Sequence, residues 1–338
     1  MDGNPWSVDF MAMLHMANDS SLFRVREELE GNGWRLVGNV FVRGEERSLP
    51  LYEAKMVHHF DHRFGTYEGQ TEAQANQGKL PELDDAQHAA PDLMPLPRYW
   101  VAAGDIDGRL PKTWAHKWLA GWRRIARSSD ERTLIASVLP EAAIGDSEFL
   151  VFPKRGATWC FAAILSSFVC DYATRQKLGG TNASFYIFEQ IAVATPDQLE
   201  ALAPQIGATW AAFLLPRVLE LTYTARDLQP FAHDCGWDGP PFRWDADRRF
   251  LLRCELDAAF FHLYGLPRDD VDYVLGTFPV VCKNETREFG EHRTRRVVLE
   301  VFDAMVEAAR TGVAYVTRLV PGPADAAVAH PPRDGVAA

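Results

Sequence analysis

The sequence predicts an α+β fold, with strands concentrated in the first half of the chain and helices in the second. Short apolar segments bounded by glycine, proline and charged residues recur up to about residue 200, which is typical of strands. From 198 to 312 apolar residues recur mainly at helical spacing. The chain has 338 residues, 47% of them hydrophobic, enough for two domains or one large irregular domain. We expect a mixed domain at 34–200 and a helical region at 201–312.

The elements of the first hundred residues follow from local signals. A short charged helix is expected before Gly31 and Gly33, and we interpret residues 1–33 as a connection from an upstream catalytic domain. Two apolar segments between Trp34 and Val57 flank a Gly/Glu turn and predict a strand pair. Residues 68–97 are polar and proline-rich, which indicates a long surface excursion.

Longer elements are predicted further along the chain. A strand is expected at 98–103, one helix at 158–177 and a returning strand over 184–196. Two amphipathic helices are expected, one ending near Gly265 and one running over about 294–309. The last residues, 313–338, are rich in proline and alanine and are expected to be disordered.

Charge is distributed unevenly along the chain. The net charge is −11, which at first sight disfavours a nucleic-acid partner because a duplex is a polyanion. From Arg98 to Lys177, however, twelve Lys and Arg face eight Asp and Glu, leaving 23 against 38 elsewhere. A basic segment in an acidic chain can be a binding footprint, and a solvated helix face explains it about equally well.

The cysteine pattern and the hydropathy bear on the compartment. Five cysteines, an odd number without a C-x-x-C pair, indicate neither a disulfide framework nor a zinc ribbon. No segment approaches the ~18 apolar residues of a membrane span, and no signal peptide is recognisable. We expect a cytoplasmic protein with no membrane partner.

A basic, tryptophan-rich stretch is the best candidate for binding a polyanion. If it is helical, Trp114, Trp118 and Trp122 form one stripe, which favours core packing for the tryptophans and leaves the basic side chains free for phosphates. The candidate DNA-binding residues here are Lys112, Lys117, Arg123, Arg124 and Arg127.

A second candidate lies at the end of the helix predicted over 158–177. Basic residues precede two glycines that permit close backbone approach, and small polar residues follow, which suits contact with a DNA groove. An ordinary glycine helix end with basic residues that complement the helix dipole is a nearly equal reading. The candidates are Arg175, Lys177, Gly179, Gly180, Thr181 and Asn182.

The block at 50–64, PLYEAKMVHHFDHRF, allows two metal-dependent interpretations. His58, His59, Asp61 and His62 could suggest zinc, although their side chains should diverge in an extended segment. Glu53-Ala54-Lys55 matches the E-x-K half of a Mg²⁺ nuclease site, which would need Asp9 or Asp19 as the second carboxylate. We expect no metal ion and keep the nuclease as the alternative function. No G-x-G-x-x-G after a strand, P-loop or G-x-S-x-G is present.

Five blocks in this order resemble the C-terminal region of Eco57I-type and DISARM-type adenine-N6 DNA methyltransferases, of class I and similar to type IIG enzymes. The blocks are PLYEAKMVHHFDHRF, PLPRYWV, DERTLIASVLP, DYATRQKLGGTNASFYIFEQIAVATP and RCELDAAFFHLYGLPRDDVDYVLGTFPVV. The resemblance covers roughly residues 1–310. It implies a TaqI-like target recognition domain that grips double-stranded DNA in restriction-modification or antiviral defence.

The resemblance also implies a division of labour. The glycine-rich cofactor motif and the N-P-P-Y loop of the family are absent, so we expect this chain to bind no cofactor and to be inactive alone. S-adenosylmethionine and methylation would belong to a separate catalytic methyltransferase domain or subunit. The resemblance places the DNA-facing elements at 52–64 and 179–184, which adds Lys55, His58, His59 and Arg63 to the candidates.

Overall fold

A computed structural model describes residues 4–333 and confirms the mixed α+β class. Eleven strands lie among the described residues, and these include β6, which crosses the tryptophan-rich stretch predicted as helical. They are β1 Asp9–Met11, β2 Arg35–Val37, β3 Val40–Arg43, β4 Glu46–Tyr52, β5 Trp100–Ala102, β6 Trp118–Arg123, β7 Ala136–Pro140, β8 Ala143–Ile144, β9 Glu148–Phe152, β10 Leu202–Ala203 and β11 Ala208–Thr209.

The α-helices of the described residues include four long ones in the second half. The helices are α1 Arg26–Gly31, α2 Glu72–Asn76, α3 Asp85–His88, α4 Ala103–Asp107, α5 Phe161–Ser166, α6 Phe168–Lys177, α7 Phe185–Phe188, α8 Pro196–Glu200, α9 Trp210–Thr222, α10 Gln229–Asp234, α11 Ala246–Leu263, α12 Arg268–Gly276, α13 Pro279–Phe289 and α14 Arg293–Thr311. None of the described helices is long and apolar enough to cross a membrane.

Two sheets carry the first half of the chain. One is antiparallel, in the order β1-β9-β6-β7, and its residues are largely buried. The other runs β2-β3-β4-β5, with β8 pairing in parallel with β4. The strand pair predicted before Val57 and the strand RYWVAA are confirmed as β2–β4 and β5.

The helical layer packs against the first sheet. Helix α5 lies on β6 and β7, while α6 contacts α11 and α12, and α14 packs along α11. One hydrophobic cluster includes Trp122 of the sheet and Phe261 of α11. The two regions predicted at 34–200 and 201–312 therefore share a core.

Residues 4–33 belong to the fold, contrary to their interpretation as a connection. Strand β1 pairs with β9, and Asp9 lies opposite Phe152. Trp6 is buried, and its indole N–H donates to the carbonyl of Ala194 at 2.8 Å. The apolar side chains here enter the core because the edge of the first sheet is completed by this segment.

Three predicted elements in the middle of the chain differ from the structure. The single helix over 158–177 is divided at Ser167, where the backbone is extended and the side-chain hydroxyl caps α6 by accepting a bond from the Cys170 N–H. The returning strand over 184–196 is wrong, because its beginning is the short helix α7. The tryptophan stripe is not helical, yet all three rings are buried, with Trp118 and Trp122 on β6.

The expected disorder of the tail is wrong for residues 313–333, and 334–338 lie outside the described residues. The Tyr315 and Thr317 hydroxyls donate to Glu255 at 2.7 and 2.6 Å, and that carboxylate also pairs with buried Arg217 at 2.7 Å. Further on, Ala329 forms a β-bridge with Phe242. The composition of this segment predicted disorder. Its polar side chains instead donate hydrogen bonds to the buried Glu255 carboxylate, whose burial without partners would cost free energy of folding.

Candidate nucleic-acid interface

The two basic segments singled out in the sequence lie side by side. The backbone N–H of Ala126 donates to the carbonyl of Thr181 at 3.0 Å, and that of Ala183 donates to Arg124 at 2.8 Å. Between these bonds Ile125 and Asn182 form an antiparallel bridge. Segments nearly sixty residues apart in sequence are therefore joined along the edge of β6.

Beside this junction is a shallow depression of about 320 Å³. Its lining includes Arg127 from one segment and Gly179 and Gly180 from the other, and all three are exposed. A Cβ added at either glycine would meet no atom within 4 Å, so the backbone there is open to a partner. Lys177, also exposed, lies just before the glycines at the end of α6.

The remaining polar candidates of the glycine loop, Thr181 and Asn182, are exposed as well. Their backbone is fixed by the pairing with residues 124–126, while their side chains make no hydrogen bond to another described residue. Hydroxyl and amide groups of this kind can contact phosphates or base edges. The loop thus combines a fixed backbone with unengaged polar side chains.

Arg123, next to the junction, connects β6 to the 52–64 segment. Its guanidinium donates to the carbonyl of Val57 at 3.0 Å and lies 5.6 Å from the ring centre of Phe64. Burial lowers the pKa of Arg123, although the nearby carboxyl of Glu148 opposes the effect. This placement disfavours the predicted contact of Arg123 with DNA, because the guanidinium is engaged by the 52–64 segment.

The other basic residues of the stretch have mixed surroundings. Arg124 pairs with Asp146 at 3.3 Å and keeps part of its side chain exposed. Lys117 is exposed, but its ammonium lies 2.7 Å from Glu141. Lys112 is exposed and has no ion pair within the described residues. Arg127 remains the most available cation at the junction.

Arg175 is a second structural arginine. Its guanidinium bonds to Asp171 at 3.3 Å and donates to the carbonyls of Asp130 and Glu131 at 2.9 and 3.0 Å. The ring of Phe278 lies under it at 4.0 Å. These bonds fix the 130–131 turn against α6 and disfavour the predicted contact of Arg175 with DNA.

The 52–64 segment is mostly internal, which disfavours two further candidates, Arg63 and His59. Arg63 is fully buried and donates to the carbonyls of Ala90, Leu93 and His88 at 2.9, 3.2 and 2.9 Å. His59 is buried, and His58 is half-buried beside it. Arg63 and His59 do not present their polar atoms to the surface, which disfavours contact with DNA, whereas contact by half-buried His58 stays a prediction.

The histidine-rich run does not assemble into a metal cluster. His62 bonds to Asp227 at 2.9 Å, whereas Asp61 bonds to His88 at 3.1 Å. Burial opposes ionisation of Asp61, but the hydrogen bond and charge of His88, the charge of Arg249 and the Arg63 N–H together outweigh it, and the pKa of Asp61 is lowered to about 2. Across residues 4–333 there is no group of three or more His, Cys, Asp or Glu side chains arranged to hold a metal.

Glu53 and Lys55 lie together but without the second carboxylate of a nuclease. The Lys55 ammonium is 3.9 Å from Glu53 and 4.8 Å from the ring centre of Tyr67, whose hydroxyl bonds to Glu53. The two acidic residues considered as partners pair elsewhere, Asp9 with Lys154 and Asp19 with Arg109. Lys55 is half-buried and is not part of the depression.

Sequence reasoning missed a group of charged residues on α11. This helix carries Arg249, Arg253, Glu255 and Asp257 within an otherwise apolar stretch, and all but Arg253 are buried. Several charges inside an apolar helical repeat could have indicated an internal polar site.

Comparison with family models, with curated proteins and with solved structures finds no match to this chain. The structure is of the α+β class, and the junction of the two basic segments is its candidate surface for binding DNA.

Proposed function

We propose that this chain is the DNA-recognition portion of a bacterial adenine-N6 DNA methyltransferase of the restriction-modification or defence type, with a TaqI-like recognition fold. It positions duplex DNA for a catalytic domain or subunit that binds S-adenosylmethionine. The observation that carries the proposal is the junction of the basic 124–127 segment with the 179–182 loop. The resemblance of the sequence blocks supports the choice of family, and the junction supports a surface for binding DNA.

The charges at the junction set how DNA would be held. Arg127 and Lys177 are exposed and have no ion pair among the described residues, and Arg124 is partly exposed beside them. Phosphate contacts fix the position of a protein on a duplex, and the loop side chains can then reach base edges. Each neutralised phosphate contributes about −0.9 to the slope of log affinity against log salt. With two or three contacts we expect a slope of about −2 to −3.

Removing the two exposed cations tests this surface. In the full chain carrying Arg127→Gln and Lys177→Gln, affinity for a fluorescent duplex should fall at low salt, and the salt slope should decrease by about 1 for each residue. Fluorescence anisotropy over a salt series measures both quantities. Stability should change by no more than about 0.5 kcal/mol, because both side chains are exposed.

Lys79→Gln provides the matched control, since Lys79 is exposed but lies in the 68–97 excursion. It should leave the salt slope unchanged. An unaltered slope in the double variant would contradict the proposed surface. Mg²⁺-dependent cleavage of DNA that is abolished by Glu53→Ala would instead favour the nuclease alternative.

A further inference from the structure

A cavity of about 140 Å³ lies between the 58–60 segment, the junction of α5 and α6, and helices α11 and α13. It is separate from the depression at the DNA-facing junction, with which it shares no lining residue. A cavity of about 150 Å³ in an engineered protein accepts benzene, so this one has room for a single ring or a group of similar size.

Arg253 of α11 is one of the residues that line this cavity. More than a third of the residue is accessible to solvent, and partial burial lowers the pKa of its guanidinium. The guanidinium makes no hydrogen bond or ion pair with any residue from 4 to 333. The open space beside Arg253 is where a partner could enter.

The other charged groups of the cavity wall already have partners. Arg132 pairs with Asp171 at 2.7 Å, and Asp257 accepts a bond from the Phe168 N–H at 2.8 Å. Glu285 accepts from the Thr294 N–H at 2.9 Å. Glu131 accepts from the Asn284 amide at 3.0 Å. Two groups of the wall are therefore left for a ligand: the guanidinium of Arg253 and the buried imidazole of His59, whose two ring nitrogens make no hydrogen bond among the described residues.

Arginine charges act on the histidine side chains of the cavity wall. Burial and the Arg123 charge lower the pKa of His58 to about 3, so its ring is neutral. Burial and Arg132 likewise lower the pKa of His59, and Arg253 contributes in the same direction. Burial is the larger cause of both pKa shifts, and the arginine charges act in the same direction. Phenylalanine side chains complete the wall, with Phe60, Phe168 and Phe260 among them.

We propose that this cavity binds a small organic anion, whose carboxylate or phosphate group pairs with Arg253 and whose apolar part lies against the phenylalanine side chains. The guanidinium can donate two parallel bonds to either kind of anion. The inference does not depend on the proposed role in DNA recognition.

The test uses the full chain with benzoate, phenyl phosphate and toluene as probes. Isothermal titration should give saturable 1:1 binding of benzoate or phenyl phosphate, and which of the two binds distinguishes a carboxylate from a phosphate site. Arg253→Met should weaken that binding at least tenfold while leaving any toluene binding unchanged. Arg287→Met, an exposed arginine on α13, should bind as the parent does.

Arg253→Lys keeps the proposal testable if the methionine variant does not fold. It retains the charge but loses the paired donors, so affinity for the better anion should fall to an intermediate value. Binding of neither anion to the parent would overturn the proposal. Equal affinity of parent, Arg253→Lys and Arg253→Met for the anion would overturn it as well.

Discussion

Replacing Arg63 by methionine is expected to lower the free energy of unfolding by roughly 3–5 kcal/mol, the cost of removing one partner from a buried charged network. Methionine would fill much of the volume but would leave the carbonyls of Ala90, Leu93 and His88 without their donor. Asp61 and Asp227, which lie close enough to affect the pKa of Arg63, would lose a compensating cation. The excursion at 68–97 should be the first region to loosen.

Urea denaturation followed by circular dichroism measures this loss. Arg127→Met is the matched control, because it removes the same charge from an exposed position and should alter stability by less than about 0.5 kcal/mol. A fully stable Arg63→Met protein that fails only to bind DNA would restore Arg63 as a contact residue. The expected outcome is the opposite, with stability lost first.

Glu148 is expected to make the free energy of unfolding depend strongly on pH. The residue is fully buried on β9, and neither carboxylate oxygen has a hydrogen-bond partner among the described residues. Burial raises the pKa of Glu148 to about 8, although Arg123 opposes the shift. Because the folded pKa exceeds the unfolded one, the contribution to stability is complete below about pH 4 and is lost as the pH rises through about 8. The total is on the order of 5 kcal/mol.

Glu148→Gln should remove this dependence, since glutamine has nearly the same shape and no titrating proton. Near pH 5 the variant and the parent should have similar free energies of unfolding, and near pH 9 the variant should be more stable by several kcal/mol. Glu189→Gln, at an exposed glutamate, should follow the parent throughout. A constant difference between Glu148→Gln and the parent from pH 5 to 9 would contradict the raised pKa.

The elements with strong local periodicity were predictable from sequence. Helix α14 at Arg293–Thr311 matches the expected range closely because its apolar residues form one continuous face. The strand pair before Val57 was predicted from its apolar segments and intervening turn, which β2–β4 confirm. Such patterns are local, so they do not depend on what the rest of the chain does.

The segment after Ser184 shows where local preference failed. Its aromatic and branched residues favour a strand, but α7 forms because Phe185 and Phe188 must pack on the first sheet. The Phe188 ring stacks on Trp122 with centroids 4.0 Å apart, and Phe185 stacks on Phe149 at 4.2 Å. These contacts are long-range, and no window of sequence contains them.

The candidate site was predictable only in part for a similar reason. Both basic segments were recognised, but their pairing was not, because it depends on how β6 and α6 are arranged. Charge alone also cannot separate exposed Arg127 from Arg63 or Arg175, whose guanidinium groups are used inside the fold. Arg253 was missed because the sequence does not show that this arginine borders a cavity formed by segments distant along the chain.

The docking of the 68–97 excursion places the imidazole of His88 flat on the indole of Trp244, with centroids 3.9 Å apart and planes within 18°. Protons above an indole face are magnetically shielded by its ring current. The Hε1 resonance of His88 should therefore appear upfield of an ordinary histidine in a proton spectrum. Its return to a normal position would report release of the excursion, without any attached label and without unfolding of the remaining chain.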